Sequence, residues 1–177
     1  MNTFIDRIIR AAKLDVNLYE EVEADKESLG QAMAVVALSA LAAGIGNIGR
    51  AGFSGILIGM IAALLGWYIW AYITYFIGTK LLPESQTKAD HGELLRTIGF
   101  SASPGFIRVA GIIPMLGGII FIVASIWMLI AMVIAVRQAL DYKSTWRAVG
   151  VCLIGWVIQI IILMVLFSIL GGSGRPF

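Results

Sequence analysis

The sequence predicts an all-α, polytopic membrane protein: five transmembrane helices, with the N-terminus cytoplasmic and the C-terminus on the opposite side. Three observations lead there. Ser28–Gly49, Ala51–Thr79, Val109–Val136 and Ala148–Gly174 hold no charged residue, and Thr97–Ile107 is stopped by one arginine, Arg108, before the apolar run resumes to Pro114. A bilayer core about 30 Å thick needs about 20 mostly apolar residues in a helix. Second, 59% of the 177 residues are hydrophobic and mean hydropathy is +0.91, beyond what soluble domains carry. In lipid only helices and closed barrels satisfy every backbone group, and these runs do not alternate as barrel strands do. Third, the positive charges are one-sided. The N-terminal, second-loop and fourth-loop segments hold ten Lys and Arg (Arg7, Arg10, Lys13, Lys26; Lys80, Lys88, Arg96; Arg137, Lys143, Arg147), against two, Arg50 and Arg175, on the other side. Cytoplasmic loops hold the Lys/Arg excess, which sets the N-terminus inside.

Three regions follow: a cytoplasmic segment, 1–27; a five-span membrane domain, 28–171; and a short tail, 172–177. Residues 3–14 are amphipathic. Phe4, Ile8, Ala11 and Ala12 share one face, and Asp6, Arg10 and Lys13 another. Such a helix lies on the membrane surface with its arginines near lipid phosphates, or packs on the loops as a solvated helix. An acidic stretch follows, with Glu20, Glu21 and Asp25 as its candidate interaction residues. Residues 1–27 are too polar for a cleavable signal, so span one is expected to act as an uncleaved insertion signal. Asp25 or Ser28 can cap that span.

Span one, about 28–46, is rich in small residues. Span two, about 53–80, opens with a GxxxG at Gly55 and Gly59, which lets helix backbones approach within the monomer or between copies. The glycine-rich stretch between them suits a short external turn. Pro83 stops span two, and Asp90 or His91–Gly92 opens the next helix, with Glu93 in its first turn. Span three, about 94–114, is broken at Pro104–Gly105. Spans four and five take about 116–137 and 147–170.

At this point the order of features resembles the YIP family of integral membrane proteins, the Ypt- or Rab-interacting proteins. The resemblance runs over about residues 15–170. It is carried by YEEVEADKESLGQA, ELLRTIGFSASPGFIRVAGIIP and IAVRQALDYKSTWRAV, each beside its helix. It implies five helices, a cytoplasmic N-terminus and a short opposite-side C-terminus. Eukaryotic members contact Rab GTPases through a longer N-terminal region. This chain has about 27 residues there and lacks the Asp-Leu-aromatic-Gly-Pro and Gly-Tyr-Gly elements of those members. Rab binding is therefore not carried over. The chain resembles a short prokaryotic member in a bacterial plasma membrane.

The candidate chemistry is sparse. At about 1.5 Å per helical residue, Arg108, Gln159, Tyr68, Ser39 and Ser125 fall near one level just past mid-membrane. With Tyr72 they form a candidate polar layer or ligand site. An intramembrane charge is a functional hypothesis by default; the bland reading has Arg108 snorkelling outward or pinning the bundle. Tyr68, Tyr72 and Tyr75 share a face of span two and serve either the layer or interfacial anchoring. At the cytoplasmic end, Arg137, Asp141 and Arg147 either close on the acidic stretch or stand as a solvated loop.

No nucleophile elbow, phosphate loop, dinucleotide fingerprint or paired-histidine motif is present. One His and one Cys, far apart, make no metal site. Neither enzyme activity nor a cofactor nor nucleic-acid binding is expected. The expected partners are membrane lipids, a second copy of the chain, and an unidentified cytoplasmic or membrane protein. The function read from these features is a membrane-organising or partner-binding scaffold. The alternative is a small transporter, channel or lipid-handling protein built on the Arg108 layer.

Overall fold

The computed structural model describes residues 3–171, so the 172–177 tail with Arg175 lies outside the described residues. Helices α1 (Phe4–Ala12) and α2 (Val16–Ala24) form a hairpin. A 3-10 turn, Lys26–Ser28, leads into α3 (Leu29–Gly46), followed by α4 (Ile48–Phe76) with a π-helical end at Ile77–Leu81. Next come α5 (His91–Phe100), a 3-10 segment (Ser103–Ile112), α6 (Gly117–Ala139) and α7 (Thr145–Gly171). Among the described residues, four stretches are long and apolar enough to cross a membrane: Lys26–Gly46, Gly52–Leu81, Gly117–Ala139 and Thr145–Ile162.

The starts of these helices follow from local chemistry. Thr3 accepts from the Asp6 amide at 3.2 Å and Asp15 from the Asn17 amide at 3.0 Å, which satisfies free N–H groups at the starts of α1 and α2. Asp25 caps the Lys26–Ser28 turn by accepting from the Glu27 amide at 3.0 Å. Ser28 instead donates its hydroxyl to the Val22 carbonyl. At α5 the Asp90–Glu93 spacing makes a reciprocal capping box, with bonds of 2.9 and 2.7 Å. Leu14, at φ 62°, turns α1 into α2.

The turn between α3 and α4 is tighter than a free loop. Asn47 is the sole residue between the helices, and the sharp change of direction comes at Gly52, φ 64°, a backbone region that glycine enters without strain.

The third apolar segment is where the chain departs from a regular helix. Seven consecutive residues of α5, Leu94–Phe100, are buried, so this helix is enclosed on all sides. After it, Pro104 sits in the first turn of a ten-residue 3-10 segment. Runs of that kind seldom exceed three or four residues. This one is held against α3 by close backbone packing. A Cβ on Gly46 would overlap the Arg108 carbonyl oxygen, and one on Gly105 would overlap the Ser39 hydroxyl. α5 and this segment together run alongside α3, from the Ala32–Gly99 contact in α5 to the Gly46–Gly111 contact in the 3-10 segment.

Two ends of the bundle follow. The α1–α2 hairpin, the 82–90 loop and the 140–144 loop share one, the hairpin end. There Arg96 reaches the Val22 carbonyl, Gln86 the Asp141 carbonyl and Arg147 the Pro83 carbonyl. Gly46–Gly49, Gly111–Met115, Gly117 and Gly118 line a common hollow at the opposite end.

Burial in α3 falls on Ala32, Val35, Val36, Ser39 and Ala42, one helical face. The matching face of α6 is nearly all alanine: Ala124, Ala131, Ala135 and Ala139. Small side chains let helix backbones approach closely in lipid, where apolar transfer from water no longer drives association. Two clusters result. One joins Trp70, Ile77, Leu94, Ile98, Leu140 and Val151, and the other joins Leu18, Tyr19, Val22, Val35, Phe100 and Ala135.

Gly46→Ala should lower the thermal midpoint of the detergent-solubilised protein, because overpacking costs about 1–3 kcal/mol and here the clash is with backbone. Gly30→Ala, in open space on the first turn of α3, should leave it unchanged or raise it. Equal midpoints for the two variants would disprove the tight packing of α3 on the 3-10 segment.

Candidate functional site

Four of the residues singled out from the sequence line one cleft. Ser39 of α3, Arg108 of the 3-10 segment, Ser125 of α6 and Gln159 of α7 border a space of about 900 Å³. Its remaining wall is mostly apolar, with Met128, Met132, Leu153 and Trp156 on α6 and α7 and Trp67 and Trp70 on α4. The shared level has a simple cause. Ser125 lies fourteen residues from Ala139 and Gln159 fourteen from Thr145, the hairpin-end termini of their helices; both therefore sit about 21 Å along them.

The Arg108 side chain leaves the backbone contact with Gly46 and enters this cleft. Its Nη2 donates to the Ser125 Oγ at 3.2 Å, and the guanidinium lies 5.7 Å from the Phe121 ring centroid. The Ser125 hydroxyl donates in turn to the Phe121 carbonyl at 2.7 Å. The Arg108 Nε is buried and has no hydrogen-bond partner.

Tyr68 and Tyr72 do not join the layer. They are more than half exposed and, with Tyr75, set their rings edge-on to His91, at centroid distances of 5.1, 5.7 and 6.3 Å. The level assigned by counting back from Lys80 fails because α4 is too long. The stretch from the bend at Gly52 to the π-helical end at Leu81, 30 residues, exceeds the length needed for a core of about 30 Å. Tyr68 therefore lies beside the first residue of α5, towards the hairpin end.

The charges at the hairpin end follow neither of the two expectations, closure of the basic loop on the acidic stretch or a solvated loop. Glu21 is bound by Arg7 at 2.9 Å and by Arg10 at 2.7 Å. Asp25 is bound by Arg7 at 2.9 Å, and Arg10 also holds Asp15 at 2.8 Å. Arg7 completes its set on the Gln31 side chain at 2.9 Å. The arginines of α1 are therefore spent on α2 and α3 rather than offered to lipid phosphates. Burial works against the charge on Arg7, but its hydrogen bonds to Asp25 and Glu21 outweigh that and raise its pKa.

The fourth loop is tied elsewhere. Arg137 donates to the Tyr142 carbonyl at 3.1 Å and, more weakly, to that of Lys143, instead of pairing with Asp141. The Asp141 carbonyl accepts from Gln86 at 3.0 Å, and Arg147 binds Glu84 at 3.2 Å and the Pro83 carbonyl at 3.0 Å. Among the named contacts, one hydrogen bond joins the acidic stretch to this region, from the Gln138 amide to Glu20. Proximity along the chain explains the outcome: Arg7 and Arg10 face α2 within one short hairpin, with little loop-closure entropy to overcome.

Two important residues escaped the sequence reading. Arg96 looks like a boundary charge, yet it is 5% exposed and donates to the Val22 carbonyl at 3.0 Å and to that of Glu23. A guanidinium there satisfies the last carbonyls of α2 and complements its negative end. The available signal was its setting between Leu94–Leu95 and Thr97–Ile98. Glu23 is the other. Its carboxyl is pushed up to about 8, first by burial, then by Glu93, Asp141 and Glu20, with Arg96 acting the other way. Among the described residues, no three His, Cys, Asp or Glu side chains converge to hold a metal.

The family model described as Yip1 domain matches residues 18–167. No curated protein and no solved structure matches the chain.

Docking of the hairpin should depend on pH. Between the ordinary Glu value of 4.5 and about 8, the docked state holds a proton that a free hairpin releases, so docking weakens as pH rises through that window. Asp15 and Asp25 are held below the usual carboxylate range, chiefly by hydrogen bonds from Arg10 and Arg7; their contribution is lost only in more acid solution. Amide exchange over residues 16–24, corrected for intrinsic rates, should therefore be faster at pH 8.5 than at pH 6. Glu23→Gln should remove the difference. The same pH response in the variant would assign it to another group.

Proposed function

The chain belongs to the Yip1-domain family of membrane proteins, and within it we propose a non-enzymatic, membrane-organising scaffold that associates with further copies of itself along α4. The observation that carries this is the outward face of α4. Gly44, Gly78 and Gly99 each have a neighbouring side chain against them, whereas Gly59 stands in open space. Gly59 and Ala62 are exposed beside Gly55, a small-residue row on a long apolar helix. Such rows let two helices meet at backbone distance in lipid. The acidic stretch, bound by Arg7 and Arg10, serves the monomer's own closure; the exposed flank serves association.

The chain crosses the bilayer five times in this reading, with a cytoplasmic N-terminus, in a bacterial plasma membrane. Supporting it, α5 and the 3-10 segment together run from the Val22 end to the Gly46 end. The three segments rich in Lys and Arg also gather at the hairpin end. A second reading, lipid handling, draws on the cleft around Arg108, whose volume of about 900 Å³ and largely apolar wall suit an amphiphile.

In a Cys152→Ser background, Gly59→Cys should form a disulfide-linked dimer in membranes under mild oxidation. Val123→Cys, exposed on α6, should not. Equal cross-linking at both positions, or none at Gly59→Cys, would exclude association along α4. In the same background a thiol at Lys88→Cys should react with an impermeant maleimide only after the cells are opened. Labelling of intact cells would reverse the orientation.

A further inference from the structure

The cleft holds a cation whose hydrogen-bonding capacity is mostly unspent. A guanidinium offers five N–H donors. Arg108 uses Nη2 on Ser125, at 3.2 Å, while its Nε is buried and unpartnered. Ser125 is a neutral acceptor, already committed as a donor to the Phe121 carbonyl. Among the described residues, no carboxylate forms a salt bridge to Arg108. A charge at this depth in hydrocarbon is costly until an anion meets it.

The space in front of it has two characters. Arg108, Ser125 and Gln159 form its polar part. Towards the hairpin end, Met128, Met132, Leu153 and Trp156 offer apolar and polarisable wall. Methionine packs readily around irregular chains. Arg108 also sits where its carbonyl meets Gly46, the last residue of α3. Its guanidinium thus reaches into the cleft from the end opposite the hairpin, the side from which a headgroup of that leaflet would approach.

We propose that the cleft binds one anionic phospholipid, with its phosphate on Arg108 and its acyl chains along α6 and α7. This rests on the lipid-handling reading of the cleft and is independent of association through α4. The free donors on Arg108 call for an anion, and the largely apolar wall calls for an attached hydrocarbon chain, which free phosphate lacks. Gln159 supplies a neutral donor for the remaining headgroup oxygens.

Trp67, Trp70 and Trp156 line the cleft, so lipids brominated on their acyl chains report occupancy by quenching tryptophan fluorescence. The full-length protein in a nonionic detergent is titrated with brominated phosphatidylglycerol or brominated phosphatidylcholine. Saturable quenching should set in at a phosphatidylglycerol content lower by about tenfold, the difference expected when charge-assisted hydrogen bonds are made or lost. Arg108→Gln should abolish that preference and Arg108→Lys should retain part of it. If Arg108→Gln does not fold, competition on the unaltered protein decides: unbrominated phosphatidylglycerol should relieve the quenching, and inorganic phosphate should not. Equal quenching by the two lipids would overturn the anionic preference while leaving a lipid cleft. No saturable quenching by either would remove the lipid reading altogether. Relief by millimolar inorganic phosphate would make it a free-anion site and overturn the proposal.

Discussion

The structure depends most on the contact between α3 and the 3-10 segment. Pro104 cannot supply an amide to a helical ladder, and the chain after it winds more tightly than an α-helix. That narrower segment fits alongside α3 because Gly46 and Gly105 carry no Cβ at the two points of closest approach. A backbone fixed in this way presents the Arg108 carbonyl to α3 and sends its guanidinium the other way, towards Ser125. The position of the one charge inside the third apolar segment thus follows from glycine placement in two elements far apart in sequence.

A second closure seals the hairpin end. The hairpin is anchored by apolar burial of Leu18, Tyr19 and Val22 against Val35, Phe100 and Ala135, and its direction is fixed by charge. Arg96 ties the last carbonyls of α2 to α5, and Arg7 spans Glu21, Asp25 and Gln31. Each cation is partly or fully withdrawn from water, so each pair is screened less than a surface ion pair would be. Glu23 stands beside these pairs, and its carboxyl is pushed up first by burial and then by the neighbouring acids Glu93, Asp141 and Glu20.

Much of the helical layout was legible in the sequence, since a bilayer needs long uncharged runs and charged residues mark where they stop. That Ser39, Ser125 and Gln159 would border one space was legible too, because α3, α6 and α7 run without a break from the hairpin end and a count of residues is then a count of distance. The same count put Tyr68 in the polar layer, whereas its ring, like that of Tyr72, lies against His91 outside the cleft, since α4 is long and turns π-helical before it ends. It gave no sign that His91 would fold back among three tyrosines. The partners of Glu21 and Asp25 were unreadable for a different reason. Charge pattern says which residues can attract, and chain geometry decides that Arg7 and Arg10 reach them first while Arg137 and Arg147 are held by neighbouring loops.

The most direct measurement is an electron cryo-microscopy structure of the protein in lipid nanodiscs, resolved well enough to trace the backbone of Ser103–Ile112. A 3-10 path pressed on Gly46 and Gly105, with the Arg108 guanidinium beside Ser125, is the expected result. A regular α-helix over those residues, standing away from α3 with Arg108 turned out to the headgroups, would mean that the α3 contact does not place the charge.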